Sequence, residues 1–150
     1  MKCLCIGENL NVMSKTLGPA MKERRKEPLQ EMAKAEDEQG IDYIDLNVGP
    51  ARKDGAELMP FVVEAVQEAV DTPIALDTTN ADALEAGVKA AKKGTALINS
   101  VTVQPARMER LLPLVPQYDA DIIGVLWGPD GMPRDENERA MHAAALMMKS

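Results

Sequence analysis

A chain of 150 residues with 45% hydrophobic content can bury one core, yet no apolar run in it approaches the roughly 20 residues a membrane-spanning helix needs. The 24 acidic and 17 basic residues leave a net charge of −7 with only four aromatics, which argues against nucleic-acid binding, where a basic footprint and stacking rings are expected. Residues Met1 to Glu8 lack the long apolar stretch and small-residue cleavage site of a secretory signal, so a cytoplasmic location is expected.

The first apolar run, Cys3–Gly7, reads as a strand. Its side chains alternate, so Cys3 and Cys5 share one side and are expected to be small, reduced, buried hydrophobes; no Cys/His cluster supplies further metal ligands. Between Asn11 and Gly40 the spacing predicts a short helix over Lys15–Arg25 and a first packing helix over Leu29–Gln39, begun near Pro28 and ended by Gly40. The basic run Lys22–Lys26 reads as a solvated face. Tyr43–Asn47 is the second strand. Met59, Val62, Val63 and Val66 then keep the spacing of a buried helical stripe. Ile74–Asp77 is the third strand, followed by a helix capped by Asn80 with Leu84, Gly87, Val88 and Ala91 on its apolar face. Ala96–Ser100 is the fourth. Its helix should start near Pro105, bend at Pro113 and stop near Pro116, with Met108, Leu111, Leu112 and Val115 inward. Ile122–Leu126 is the fifth strand, and Asp135 with Glu138 resembles a capping box for a last helix whose apolar face is Ala140, Ala143, Ala144 and Met147. The ten methionines are expected mainly in the core, and the sole histidine, His142, on that last helix as a solvated or partly packed residue.

Short apolar strands alternating with amphipathic helices imply right-handed crossovers and an α/β fold with a parallel sheet, in one domain spanning residues 1–150. Two architectures remain open: a doubly wound sheet, complete with five strands, or a β/α barrel, which needs eight strands and about 250 residues. The chain stops within a helix that has no Gly or Pro stop signal, so truncation is expected.

The strands end alike. They run into Gly7-Glu8-Asn9-Leu10-Asn11, Asp45-Leu46-Asn47-Val48-Gly49-Pro50, Leu76-Asp77-Thr78-Thr79-Asn80 and Ile98-Asn99-Ser100. In both architectures the C-terminal ends of parallel strands share one ligand-binding face, where Glu8, Asn47, Asp77 and Asn99 would converge. Asp and Asn also cap helices and make turns, and Asn80 and Asp54 are expected to do only that. A carboxylate can accept paired N–H bonds from an amidine-like edge, and an amide can read a neighbouring carbonyl and N–H; the aminopyrimidinone ring of a pterin offers such an edge. No glycine-rich phosphate cradle competes with this reading.

In this order the four motifs resemble methyltetrahydrofolate:corrinoid/iron–sulfur protein methyltransferase and its relatives, among them the pterin-binding module of cobalamin-dependent methionine synthase and, more distantly, dihydropteroate synthase. Gly131-Met132-Pro133-Arg134-Asp135 and Arg139 also match the family's loop and helix after the fifth strand. The resemblance implies a parallel β/α barrel of the pterin-binding type, with about the first five β/α units present here. It implies methyltetrahydrofolate as a substrate whose methyl group passes to the cobalt of a corrinoid (cobalamin) held by a partner protein. It implies that Asp77 and Asn99 hydrogen-bond the pterin, with Asn47, Glu8 and Asn11 on the same face. The catalytic residue is unknown from this sequence, because the family's activating asparagine would lie beyond residue 150. The chain departs from the family at Asn9, where relatives usually carry arginine, and at Trp127, which could stack on a ligand or pack. A homodimer covering open barrel edges is expected, with no nucleic acid, membrane or tightly bound metal. The alternatives are a non-catalytic five-stranded α/β binding domain and a dihydropteroate synthase-like enzyme.

Overall fold

A computed structural model describes residues 3–148. The strands are β1 (Ile6–Gly7), β2 (Tyr43–Asn47), β3 (Ile74–Asp77), β4 (Ala96–Thr102) and β5 (Asp121–Val125). The helices are α1 (Leu17–Lys22), α2 (Glu27–Asp37), α3 (Gly55–Gln67), α4 (Ala81–Ala90), α5 (Pro105–Leu111), α6 (Leu114–Tyr118) and α7 (Glu136–Met147). All neighbouring strands pair in parallel, in the order β1-β2-β3-β4-β5.

That order decides between the two architectures. A doubly wound sheet reverses its strand order at a switch point, so helices cover both faces. Here the order never reverses, so right-handed crossovers put successive helices on one side and leave the other face to curl inward. The Tyr43 hydroxyl donates to Asp121 Oδ2 at 3.0 Å, tying β2 to β5 across that concave face. The fold is thus α/β, with five parallel strands in sequential order and their helices on one side, an arrangement consistent with part of a β/α barrel.

Strand alternation sorts the side chains. Ile44, Leu46, Ile74, Leu76 and Ile98 point to the helices and are fully buried. They meet Met59, Val62, Val63 and Val66 of α3 and Leu84 and Val88 of α4 in one hydrophobic cluster. The register aligns Asn47 with Asp77 and Asp77 with Asn99, so the polar ends of three strands form a row on the concave side.

Several expectations are corrected. Among the described residues β1 pairs at Ile6–Tyr43 and Gly7–Ile44 and no strand lies on its other side, which leaves Cys3 and Cys5 exposed. The helix after β4 starts at Pro105 and breaks into α5 and α6 around Pro113 as expected, since Pro113 has no N–H to continue the ladder. It passes Pro116 and ends at Asp119, in a left-handed conformation with φ 55°. Met21, Met59 and Met108 are core residues, but Met13, Met132, Met141, Met147 and Met148 are exposed. The basic run is not simply solvated: Arg24 meets Asp54, Arg25 meets Glu23 and Lys26 meets Glu68. Among the described residues, no helix is long and apolar enough to cross a membrane.

Asn80 caps α4 as expected. Its Oδ1 accepts from Asp82 N at 2.9 Å and Ala83 N at 3.4 Å, and its Nδ2 donates to Ala51 O at 2.9 Å. Asn80→Ala should therefore lose about 1–2 kcal/mol of stability, through the missing cap and a stranded carbonyl. Urea unfolding followed by circular dichroism measures this; a loss under about 0.5 kcal/mol would mean water replaces both partners.

Candidate functional site

The loops after β2 and β3 are sewn together before any ligand arrives. Thr78, 3% exposed, donates from its hydroxyl to Gly49 O at 2.6 Å and accepts from Asn80 N at 3.1 Å. Gly49 has φ +63°, a left-handed turn that a side chain would strain. The loop after β1 joins them: Asn47 N donates to Leu10 O, Val12 N donates to Asn47 O, and Asn11 bridges to Asn47. Fully buried Leu10 anchors this loop in the core.

On this frame the expected residues take different roles. Asp77 sits at the end of β3 with one oxygen accepting from Asn47 Nδ2. Asn47 Oδ1 accepts from Gly49 N at 2.9 Å, so both ends of its amide are engaged and it serves to aim Asp77. Asn99 Nδ2 donates to Asp45 Oδ1 at 3.1 Å, which turns the Asn99 carbonyl oxygen away from Asp45. Asp77 and Asn99 line one cavity of about 260 Å3 together with Thr79, Thr102, Gln104 and Arg107. The Asn99–Ser100 peptide is cis, and a register shift between Asn99 and Val101 interrupts β4 there.

Glu8 is exposed, and its charge helps to raise the pKa of both Asp77 and Asp45, so it belongs to the same electrostatic neighbourhood. Asn11 does not line the cavity; its Oδ1 accepts from Met13 N at 2.8 Å and shapes the β1 loop. Trp127 is 50% exposed and lies outside the cavity lining, with its backbone oxygen accepting from Val103 N. His142 is partly buried on α7, its Nδ1 3.2 Å from Leu126 O, as its placement on the last helix implied.

Asp45 is the residue that the strand-end reading passed over. It is 3% exposed, and its carboxyl is pushed up to about 6, first by burial, with Asp77, Glu8 and Glu36 adding repulsion against the Asn99 bond. Asp77 is raised by burial and then by Glu8, and lowered by Asn47. Asp77, Asn99 and Asp45 give this part of the site an excess of acceptors, and among the described residues no group of three or more His, Cys, Asp or Glu is arranged to hold a metal ion. A ligand edge rich in N–H groups satisfies such a pocket.

The departure at Asn9 has a structural consequence. Asn9 N and Nδ2 both donate to Glu36 Oε1, at 3.0 and 2.7 Å. Glu36 is 1% exposed, and its Oε2 is buried without a hydrogen-bond partner among the described residues. An arginine fork could satisfy both oxygens; the shorter amide reaches one.

Comparison with known proteins gives the family. Residues 9–149 match the family model described as pterin binding enzyme. The methylcorrinoid:tetrahydrofolate methyltransferase of Eubacterium limosum is 34% identical over 116 residues, 77% of this chain and 42% of that protein. The chain thus spans less than half the length of this relative. With a match that covers nearly all its residues, the chain belongs to the pterin-binding enzyme family.

Proposed function

We propose that this protein binds tetrahydrofolate in its methylated and unmethylated forms and exchanges the methyl group with a corrinoid held by a partner protein. The observation that carries the reading is the placement of Asp77 and Asn99 on one cavity, each fixed by a second residue, Asn47 and Asp45, that leaves its acceptor oxygen to the ligand. The Asp77 carboxylate suits the amino-pyrimidinone N–H edge, and the Asn99 amide oxygen suits a further ring N–H. The relative's name writes the transfer from methylcorrinoid to tetrahydrofolate, the reverse of the direction implied by the sequence motifs. One site serves both directions, since a reversible transfer passes through the same transition state. The corrinoid supplies a cobalt centre as methyl acceptor or donor. The residues of this chain hold and orient the pterin, which brings the methyl-bearing nitrogen to a fixed position.

Calorimetric titration of the full-length protein with methyltetrahydrofolate tests the reading. Asp77→Ala and Asn99→Ala should each weaken binding about tenfold or more, the size of one charge-assisted or buried hydrogen bond. Unchanged affinity in both variants would sink it. We further propose that residues 1–150 form the N-terminal part of one cytoplasmic barrel domain, and that where this part stands alone a second copy covers its outer strands β1 and β5; a sedimentation mass of one protomer for residues 1–150 would count against that pairing.

A further inference from the structure

Among the described residues Arg107 combines partial burial with the lack of a carboxylate partner, whereas Arg52 and Arg139, which also lack one, are exposed. Arg24, Arg25, Arg110 and Arg134 each meet a carboxylate. Arg107, half-buried on α5, meets only backbone carbonyls: Nε and Nη2 donate to Ser100 O at 3.2 and 2.8 Å, Nη2 to Thr78 O at 3.3 Å and Nη1 to Thr79 O at 2.9 Å. A guanidinium has five N–H donors, so one on Nη1 is left over. Its pKa is lowered by burial, with no acid offsetting the shift. In a chain of net charge −7, a desolvated cation without an acid partner is a costly arrangement.

The surroundings point to what would complete it. Arg107 lines the same cavity as Asp77 and Asn99. So does Thr102, whose Oγ1 is buried without a hydrogen-bond partner among the described residues and can donate. One cavity lining therefore holds acceptors, at Asp77 and Asn99, and donors, at Arg107 and Thr102. Such a lining suits a ligand that carries an N–H-rich edge and an anionic group on one molecule.

We propose that Arg107 and Thr102 form an anion subsite that takes a carboxylate on the tail of the pterin ligand, and so selects folate over tail-less pterins. This rests on the reading of Asp77 and Asn99 as the ring site. Arg107 also clamps the carbonyls that follow Asp77 and Asn99, so the test must separate charge recognition from loop support.

The experiment compares two ligands on the full-length protein: methyltetrahydrofolate, and a methylated tetrahydropterin without the aminobenzoyl-glutamate tail. Arg107→Gln should weaken methyltetrahydrofolate about tenfold more than it weakens the tail-less ligand, while Arg107→Lys, which keeps the charge, should retain most of the preference. In the wild type, rising salt should erode the preference for the tailed ligand. This last measurement decides the matter if Arg107→Gln does not fold. Equal weakening of both ligands would make Arg107 a loop clamp and overturn the subsite. Equal wild-type affinity for both, at low and high salt, would also overturn it while leaving the ring site standing. If the wild type binds neither, the ring site fails and the subsite with it; inorganic phosphate displacing the tail's contribution at millimolar levels would show a general anion site instead.

Discussion

At pH 8, Asp45→Asn should stabilise the fold by about 2–3 kcal/mol, and at pH 3 the variant and the wild type should be equally stable. The Asp45 carboxyl rises from an ordinary 3.8 to about 6 in the fold, first because it is buried. Between those two values the native state holds a proton that the unfolded chain has released. Wild-type stability therefore falls as pH rises from about 4 to about 6, and stays low above that window. Two pH units correspond to about 3 kcal/mol, taken as an upper figure. The amide of the variant never ionises, so this part of the pH dependence disappears, and its oxygen can still accept from Asn99. Asp77 is raised in the same direction and remains in the variant, so a residual slope of the same sign should persist. Urea unfolding at pH 3, 5 and 8 makes the comparison. A variant that is no more stable than the wild type at pH 8 would mean that Asp45 is ionised at little cost, compensated by water or a cation.

The same residue shows what was legible in the sequence. The parallel-strand rule placed Glu8, Asn47, Asp77 and Asn99 at one strand-end face, and the register makes Asn47, Asp77 and Asn99 neighbours. Strand alternation puts Asp45, two residues before Asn47, on the same side of the sheet. A charged residue inside an apolar strand was the available signal, overshadowed because the reading looked only at strand ends. The division of labour was not legible. That Asn47 spends both ends of its amide on Asp77 and Gly49 depends on loops that meet only in three dimensions. Arg107 was invisible for a similar reason: its partners are backbone carbonyls of two other loops, and backbone groups leave no mark in the residue code. Asn80 was legible because its cap is local. The choice between an open sheet and a barrel needed the order of strands, which periodicity does not encode.

Gly18→Ala should cost about 3 kcal/mol or more, and should weaken pterin binding although Gly18 does not line the cavity. A Cβ at this position would sit 2.2 Å from the backbone oxygen of Val12, so main chain, not a flexible side-chain end, must move. Helix α1 is held in place by buried Leu17, Ala20 and Met21, and Val12 is held by its N–H on Asn47 O at 2.9 Å. Whichever side yields, the β1 loop shifts against β2, and the side chain of Asn47 that aims Asp77 shifts with it. Gly40→Ala is the matched control: its φ of +71° is strained for alanine, but the added Cβ meets nothing within 4 Å, so only about 1 kcal/mol is expected and no change in binding. Unfolding midpoints and methyltetrahydrofolate titrations on both variants separate the two costs. If Gly18→Ala loses stability but binds with wild-type affinity, the β1 loop and the Asp77 carboxylate are mechanically independent, and Asn47 is held by β2 alone. If both fall together, the close approach of α1 to Val12 is what fixes the Asp77 acceptor of the site.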